Sequence, residues 1–139
     1  MRTNLCAVCL IETNERVCSP CQQPRTPCGN IEQLTLENTD YRRVQSTTDQ
    51  QQLVLMSILP SENIPMEIHP TTTQFIKIES GNGVVIVDGK RIDLEPNSFI
   101  QIAPGTSHQV NVVGNQPLKL YTIYSPPEHP PGLVRKRQQ

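Results

Sequence analysis

QFIKIESGNGVVIVDGKRIDL, residues 74–94, decides the fold class. Its first seven residues alternate apolar and polar, so an extended backbone would have one oily face and one wet face, as a half-buried strand does. SGNG then breaks the run. VVIV is β-branched throughout and reads as a strand. It ends at Asp88-Gly89, a pair favoured at the tip of a two-residue hairpin, and RIDL answers as the returning strand.

The same rhythm runs outward in both directions. Upstream, QLVLMSIL (52–59) reads as a buried strand, and PMEIH (65–69) alternates before PTTT turns the chain. DYRRV (40–44) stands in an otherwise polar segment and could pack as an edge strand. Downstream come SFIQIA, HQVNVV and LKLYTIY, separated by PGTS and GNQP. About eight short strands at close spacing, with Gly or Pro at the joints, point to a β-sandwich or barrel. Thirteen prolines and a scarcity of helical periodicity agree with an all-β chain.

A length of 139 residues allows one compact domain and a small appendage. No stretch approaches the ~20 apolar residues of a membrane span. Arg2 precedes only a short apolar run broken by cysteines and Glu12, which is not the pattern of a signal peptide. The expected compartment is the reducing cytoplasm. A net charge of -1 supplies no field for nucleic acid or an acidic membrane, so neither is expected as a partner.

MEIHPTTTQF (66–75) places an acid, a histidine and an amide close together. Glu67 and His69 are two apart and share a strand face. After the turn, Gln74 opens the next strand and can share that face. His108 follows the Pro104-Gly105 turn at the start of a later strand. Ligands on neighbouring strands, facing inward and held near turns, are what a metal between strands needs. A polar hydrogen-bonded cluster without metal is the competing reading.

These two stretches resemble the paired motifs of the cupin family, and the likeness covers residues 31–134. In the first motif Glu67 stands where a first histidine is usual, His69 at the second histidine, Gln74 at the glutamate and Gly81 at the closing glycine. In the second, Asn97 stands at a glycine, Ala103-Pro104-Gly105 carries a displaced proline, and His108 falls on the histidine. YRRV, QLVLMSI, VDGK and LKLYTIYSPPEHPPG look like the mannose-6-phosphate isomerase-like cupin subfamily. The resemblance implies a conical β-barrel of the double-stranded β-helix or jelly-roll type with a metal inside. Two of the usual four ligand positions differ here. Glu67, His69 and His108 then make the two-histidine, one-carboxylate set of non-haem iron sites, with Gln74 as a weak fourth ligand or a hydrogen-bonding neighbour. Such ligands suit Fe, Mn, Ni, Co or Zn without choosing among them.

All five cysteines lie in the first 28 residues. Cys6, Cys9, Cys18 and Cys21 form two pairs, each with two residues between, as the knuckles of a structural Zn²⁺ site do; two disulfides or four free thiols are the alternatives. Cys28 is left over. The division expected is a zinc-knuckle segment at 1–29, a barrel at 30–134 and a solvated basic tail at 135–139, with His129 on the surface among prolines. Lys77, Tyr121, Tyr124 and Arg43 are weaker candidates for touching a polar or anionic substrate at the barrel mouth. Two functions fit. One is a metal-dependent isomerase or dioxygenase acting on a small polar molecule. The other is a non-catalytic ligand-binding or interaction module, a homodimer through its sheet edges, with the knuckle free for a protein partner.

Overall fold

The computed structural model describes residues 27–139 and, nearer the N-terminus, two short strands, β1 (Asn4–Leu5) and β2 (Glu12–Thr13), which pair antiparallel. The chain divides into two compact units, Met1–Leu34 and Thr35–Gln139. The expected zinc ligands Cys6, Cys9, Cys18 and Cys21 lie outside the described residues, and Cys28 is an exposed free thiol.

The polar segment after Asn30 contains a helix, α1 (Ile31–Glu37). Asn30 Oδ1 accepts the Gln33 N–H at 2.9 Å, satisfying one of the donors that a first helical turn leaves open. At the other end, Lys119 Nζ donates to the carbonyls of Leu36 at 2.7 Å and Asn38 at 2.9 Å. A cation there offsets the negative end of the peptide dipoles. Seven residues make only about two turns, too few for a helical period to stand out in the sequence. Among the described residues no helix is long and apolar enough to cross a membrane.

The remaining elements are strands: β3 (Arg42–Thr47), β4 (Gln52–Ile58), β5 (Asn63–Glu67), β6 (Thr73–Ser80), β7 (Asn82–Val87), β8 (Lys90–Leu94), β9 (Phe99–Ile102), β10 (His108–Val113), β11 (Leu118–Ser125) and β12 (Val134–Arg135). They form two antiparallel sheets. One runs β12-β3-β4-β11-β6-β9 and the other β5-β10-β7-β8. The hairpin read at Asp88-Gly89 is present: both residues have positive φ, 49° and 82°, and β7 pairs with β8 on either side. Gly81, between β6 and β7, has φ 87°, and a Cβ there would lie 2.3 Å from the Pro117 carbonyl oxygen, so the position admits only glycine.

Strand parity decides what lies between the sheets. On β6, Gln74, Ile76 and Ile78 are buried while Phe75, Lys77 and Glu79 alternate with them on the opposite face. On β11, Leu118, Leu120, Thr122 and Tyr124 take the buried face. Val54, Met56 and Ile58 of β4 join them, and Ile64, Val85, Leu94 and Val110 come from the four-stranded sheet to make one core. Each fully buried aliphatic side chain of this kind contributes roughly 1.5–3 kcal/mol of transfer free energy.

Two expectations are corrected. DYRRV is not at an edge: β3 lies between β12 and β4. The C-terminal residues are not a solvated tail either. Val134 and Arg135 pair with Arg43 and Arg42, Tyr41 N–H donates to the Lys136 carbonyl at 3.0 Å, and Gln138 exchanges hydrogen bonds with Asn63. Arg137 reaches Glu62 at 3.4 Å. The unpaired edge of β3 supplies backbone partners that basic side chains in the sequence do not advertise.

Candidate metal centre

β10 sits inside the four-stranded sheet, with His108 opposite Glu67 of β5 and Val87 of β7. Directly opposed residues on one face bring their side chains together. His69 lies two residues past the end of β5, on the bend before β6. The loop ahead of β10 clips onto that bend: Gly105 N–H donates to the His69 carbonyl at 2.8 Å. The Pro104-Gly105 turn thus positions both histidines, one through its backbone and one by starting its strand.

Three ligand atoms converge. Glu67 Oε1 lies 3.2 Å from His69 Nε2 and 3.7 Å from His108 Nε2, and the set fits within 4.8 Å. The histidine rings are tilted with centroids 5.2 Å apart. Hydrogen bonding fixes which nitrogen of His108 faces inward. Its Nδ1 is 3.0 Å from the Thr106 carbonyl, which can only accept, so Nδ1 carries the hydrogen and Nε2 keeps a lone pair in the neutral ring. His69 Nδ1 faces Glu128 Oε2 at 3.3 Å, which likewise turns Nε2 toward Glu67. A carboxylate or carbonyl behind each imidazole is the support that metal-bound histidines use.

Glu67 Oε1, His69 Nε2, His108 Nε2 and Gln74 Oε1 are buried and make no hydrogen bond. Orphaned buried polar atoms cost about 1–3 kcal/mol each, so the three gathered within 4.8 Å ask for a common partner. The amide end of Gln74 is committed: Nε2 donates to Thr122 Oγ1 at 3.1 Å and to Tyr124 Oη at 3.4 Å. Its carbonyl oxygen is therefore the group left over. An O/N donor set with buried, unsatisfied lone pairs fits a divalent cation.

Electrostatics follow. Burial alone would raise the Glu67 carboxyl, but His108, His69 and Arg42 together hold it below its ordinary value. Burial opposes charging of His108, yet Glu67 and the Thr106 carbonyl outweigh it and raise the ring above its ordinary value. Burial raises Tyr124. Burial, joined by the positive Arg42, pushes His129 down to about 4, so its ring is neutral at pH 7.

Of the weaker substrate candidates, only Tyr124 faces the interior. Its ring meets His69 edge-on at 5.7 Å. Lys77 and Tyr121 are register partners on the outer face, and Lys77 is held by Glu79 at 2.8 Å and Asn97 at 3.0 Å. Arg43 is also on that face, 3.4 Å from Asp40. The odd-numbered parity of these strands keeps all three away from Gln74 and His108.

His129 is half-buried rather than free on the surface. Its ring packs against Tyr124 at 5.1 Å, Nε2 lies 3.4 Å from Tyr124 Oη, and its backbone is bound at both ends by buried Gln52. Gln52 Oε1 also accepts the Glu128 N–H at 3.2 Å. Gln52 therefore folds SPPEHPPG over the barrel and delivers Glu128 to His69. Sequence reasoning missed Glu128, His129 and Gln52. The one available signal was a glutamine at the head of the largely apolar run QLVLMSIL.

The cupin domain model matches residues 54–124. An uncharacterized protein of Acanthamoeba polyphaga mimivirus is 46% identical over 114 residues, 78% of this chain and 71% of that one. The uncharacterized YrkC protein of Bacillus subtilis is 40% identical over 81% of this chain, which spans only 64% of that protein's length. A crystal structure from Bacillus halodurans is 41% identical and superposes with a TM-score of 0.80 over 82% of this chain and 91% of that one.

Proposed function

Since this chain belongs to the cupin domain family, we propose that its barrel holds one divalent metal ion on Glu67, His69 and His108 and there binds or transforms a small polar molecule. The observation that supports this is the set of buried lone pairs on Glu67, His69 and His108, gathered within 4.8 Å and lacking hydrogen bonds. Two imidazoles and a carboxylate suit Fe, Mn, Co, Ni or Zn. Such an ion supplies Lewis acidity toward a carbonyl or hydroxyl oxygen, and with iron also oxygen chemistry, the isomerase-like and dioxygenase-like alternatives.

The chain's own residues then have distinct tasks. Glu67 supplies the charge that a metal site of neutral imidazoles lacks. Thr106 and Glu128 orient the two rings. Gln74, anchored by Thr122 and Tyr124, presents a carbonyl oxygen as a fourth donor or as the acceptor for a bound water. Cys6, Cys9, Cys18 and Cys21 are proposed to hold a separate structural zinc, supported by their spacing.

Elemental analysis of the purified chain tests both sites at once. Two ions per chain are expected in wild type. Glu67→Ala/His108→Ala should leave one, and Cys6→Ala/Cys9→Ala should also leave one. A single ion that disappears only with the cysteine changes would sink the barrel reading.

A further inference from the structure

Arg42 is the buried charge that the metal site does not use. Its parity on β3 is that of Val44, whose register partner is Val54 of the core, and opposite to that of Arg43, so its side chain runs inward. Only 6% of the residue is exposed. Nε is buried with no hydrogen-bond partner, and among the described residues no carboxylate forms an ion pair with the guanidinium. Its guanidinium lies over the Tyr41 ring, with Cζ 5.3 Å from the centroid. Tyr41 is itself pinned, its hydroxyl donating to the Asn63 carbonyl at 2.7 Å. Asn63 opens β5, the strand that ends at Glu67, so Arg42 and its ring are tied to the strand that supplies a metal ligand, and the positive charge bears on Glu67, Tyr124 and His129.

A buried cation without an anion is costly, and proteins ordinarily pair it or do without it. Here the fork lies over a fixed ring with its Nε–H unpaired. We propose that Arg42 is the anion-binding group of the site and takes the carboxylate of a small monoanionic ligand. This rests on the reading of the barrel as a ligand site. A guanidinium fork matches a carboxylate with two parallel hydrogen bonds. The carboxylates of Glu67 and Glu128 offset the two charges of a divalent ion, so Arg42 leaves one positive charge, which matches a monoanion better than a phosphate dianion. The ligand class is therefore a short carboxylic acid whose other oxygen can reach Glu67, His69 and His108 through the ion they hold.

The test uses the full-length ¹⁵N-labelled chain supplied with Zn(II), which keeps it diamagnetic, and follows the Arg42 Nε–H resonance during titration with acetate, acetamide and inorganic phosphate. Acetate should shift the resonance saturably and acetamide should not. Arg42→Gln should weaken acetate binding about tenfold or more, read on neighbouring backbone amides. Arg42→Lys, which keeps the charge and guards against a folding defect, should fall between. Arg42→Met should raise the thermal midpoint, because a merely structural arginine would lower it. An unmoved Nε–H, equal acetate affinity in Arg42→Gln, or tighter binding of phosphate than of acetate overturns the proposal. Elemental analysis of the same samples separates the two readings. A shifted Nε–H without barrel zinc refutes the metal site alone, and barrel zinc without a shift refutes the anion site alone.

Discussion

The interior has two ends of opposite character, and single strands cross from one to the other. Along β11 the inward residues are Leu118 and Leu120, then Thr122 and Tyr124. Along β6 they are Ile78 and Ile76, then Gln74. β4 runs from Ile58 through Met56 and Val54 to Gln52, and β10 from Val110 to His108. The registers align these gradients: Leu120 faces Met56 and Ile78, whereas Tyr124 faces Gln52 and Gln74. At the first end burial is satisfied by apolar packing. At the second, equally buried groups carry lone pairs and charges. The apolar half makes the fold stable enough for the polar half to keep orphaned donors and acceptors, the usual relation between a scaffold and the strained site it carries.

The sharpest way to break this comparison is to damage each end separately. Leu120→Ala removes a fully buried side chain from the apolar end and should cost about 2–5 kcal/mol of unfolding free energy. The metal content of the chain that remains folded should not change. Glu67→Gln keeps the shape of the polar end and deletes its charge. It should lower barrel-metal affinity by about a hundredfold or more, beyond what loss of a supporting residue costs, while denaturant midpoints of the metal-free chain move little. Equal damage to stability and metal by both variants would mean that the two ends are one cooperative unit.

A smaller effect sharpens the division within the polar end. Glu128→Gln leaves all three ligand atoms in place and removes the carboxylate 3.3 Å behind His69. Metal affinity should fall about 10–100-fold, with one ion per chain still bound at saturating metal. Gln52→Ala should reproduce that fall, because it releases the backbone of Glu128 and His129. If Gln52→Ala left affinity untouched, the segment would hold its position without that anchor.

The two ends were not equally legible. Strands β4 to β11 follow from turn residues together with apolar or β-branched runs at β4 and β7 and period-two alternation in strands such as β6, where the apolar end imposes parity. Glu67, His69, His108 and Gln74 were readable because turns and spacing bring them to strand starts and ends. The support around them was not. Glu128 and His129 come from a proline-rich stretch without periodicity, and a buried glutamine, not a pattern, holds them. Lys77 and Tyr121 looked equivalent to Tyr124 in composition, but the sheet's parity puts them outside. Arg42 sat in a stretch read as an edge strand, where a charge is ordinary. It became informative only once β12 covered that edge.

The smallest predicted effect is the most specific to the polar end, since it needs both members of one pair. In the metal-free chain Glu67 has a lowered pKa and His108 a raised one. The Glu67 contribution to stability is present above the ordinary carboxyl value of 4.5 and is lost as pH falls through the lowered folded value. The His108 contribution is fully present below its ordinary 6.5 and is lost as pH rises through the raised folded value. Both operate between those limits. His129 acts the other way: its depressed value means that stability falls as pH drops from 6.5 toward about 4. The pair must therefore be read as the difference between wild type and Glu67→Gln, in which the larger causes of the His129 shift, burial and Arg42, are common to both chains. That difference should be largest near pH 5.5–6.5 and shrink at higher pH. Metal should show the reverse dependence, because binding displaces the Nε2 proton of His108, so affinity rises about tenfold per pH unit until the raised value is passed. Thermal unfolding of the metal-free chains across pH, beside metal titrations at the same pH values, checks both. A wild-type advantage that stayed constant with pH would show that Glu67 and His108 do not share a proton equilibrium, and the pairing at 3.7 Å would be geometry alone.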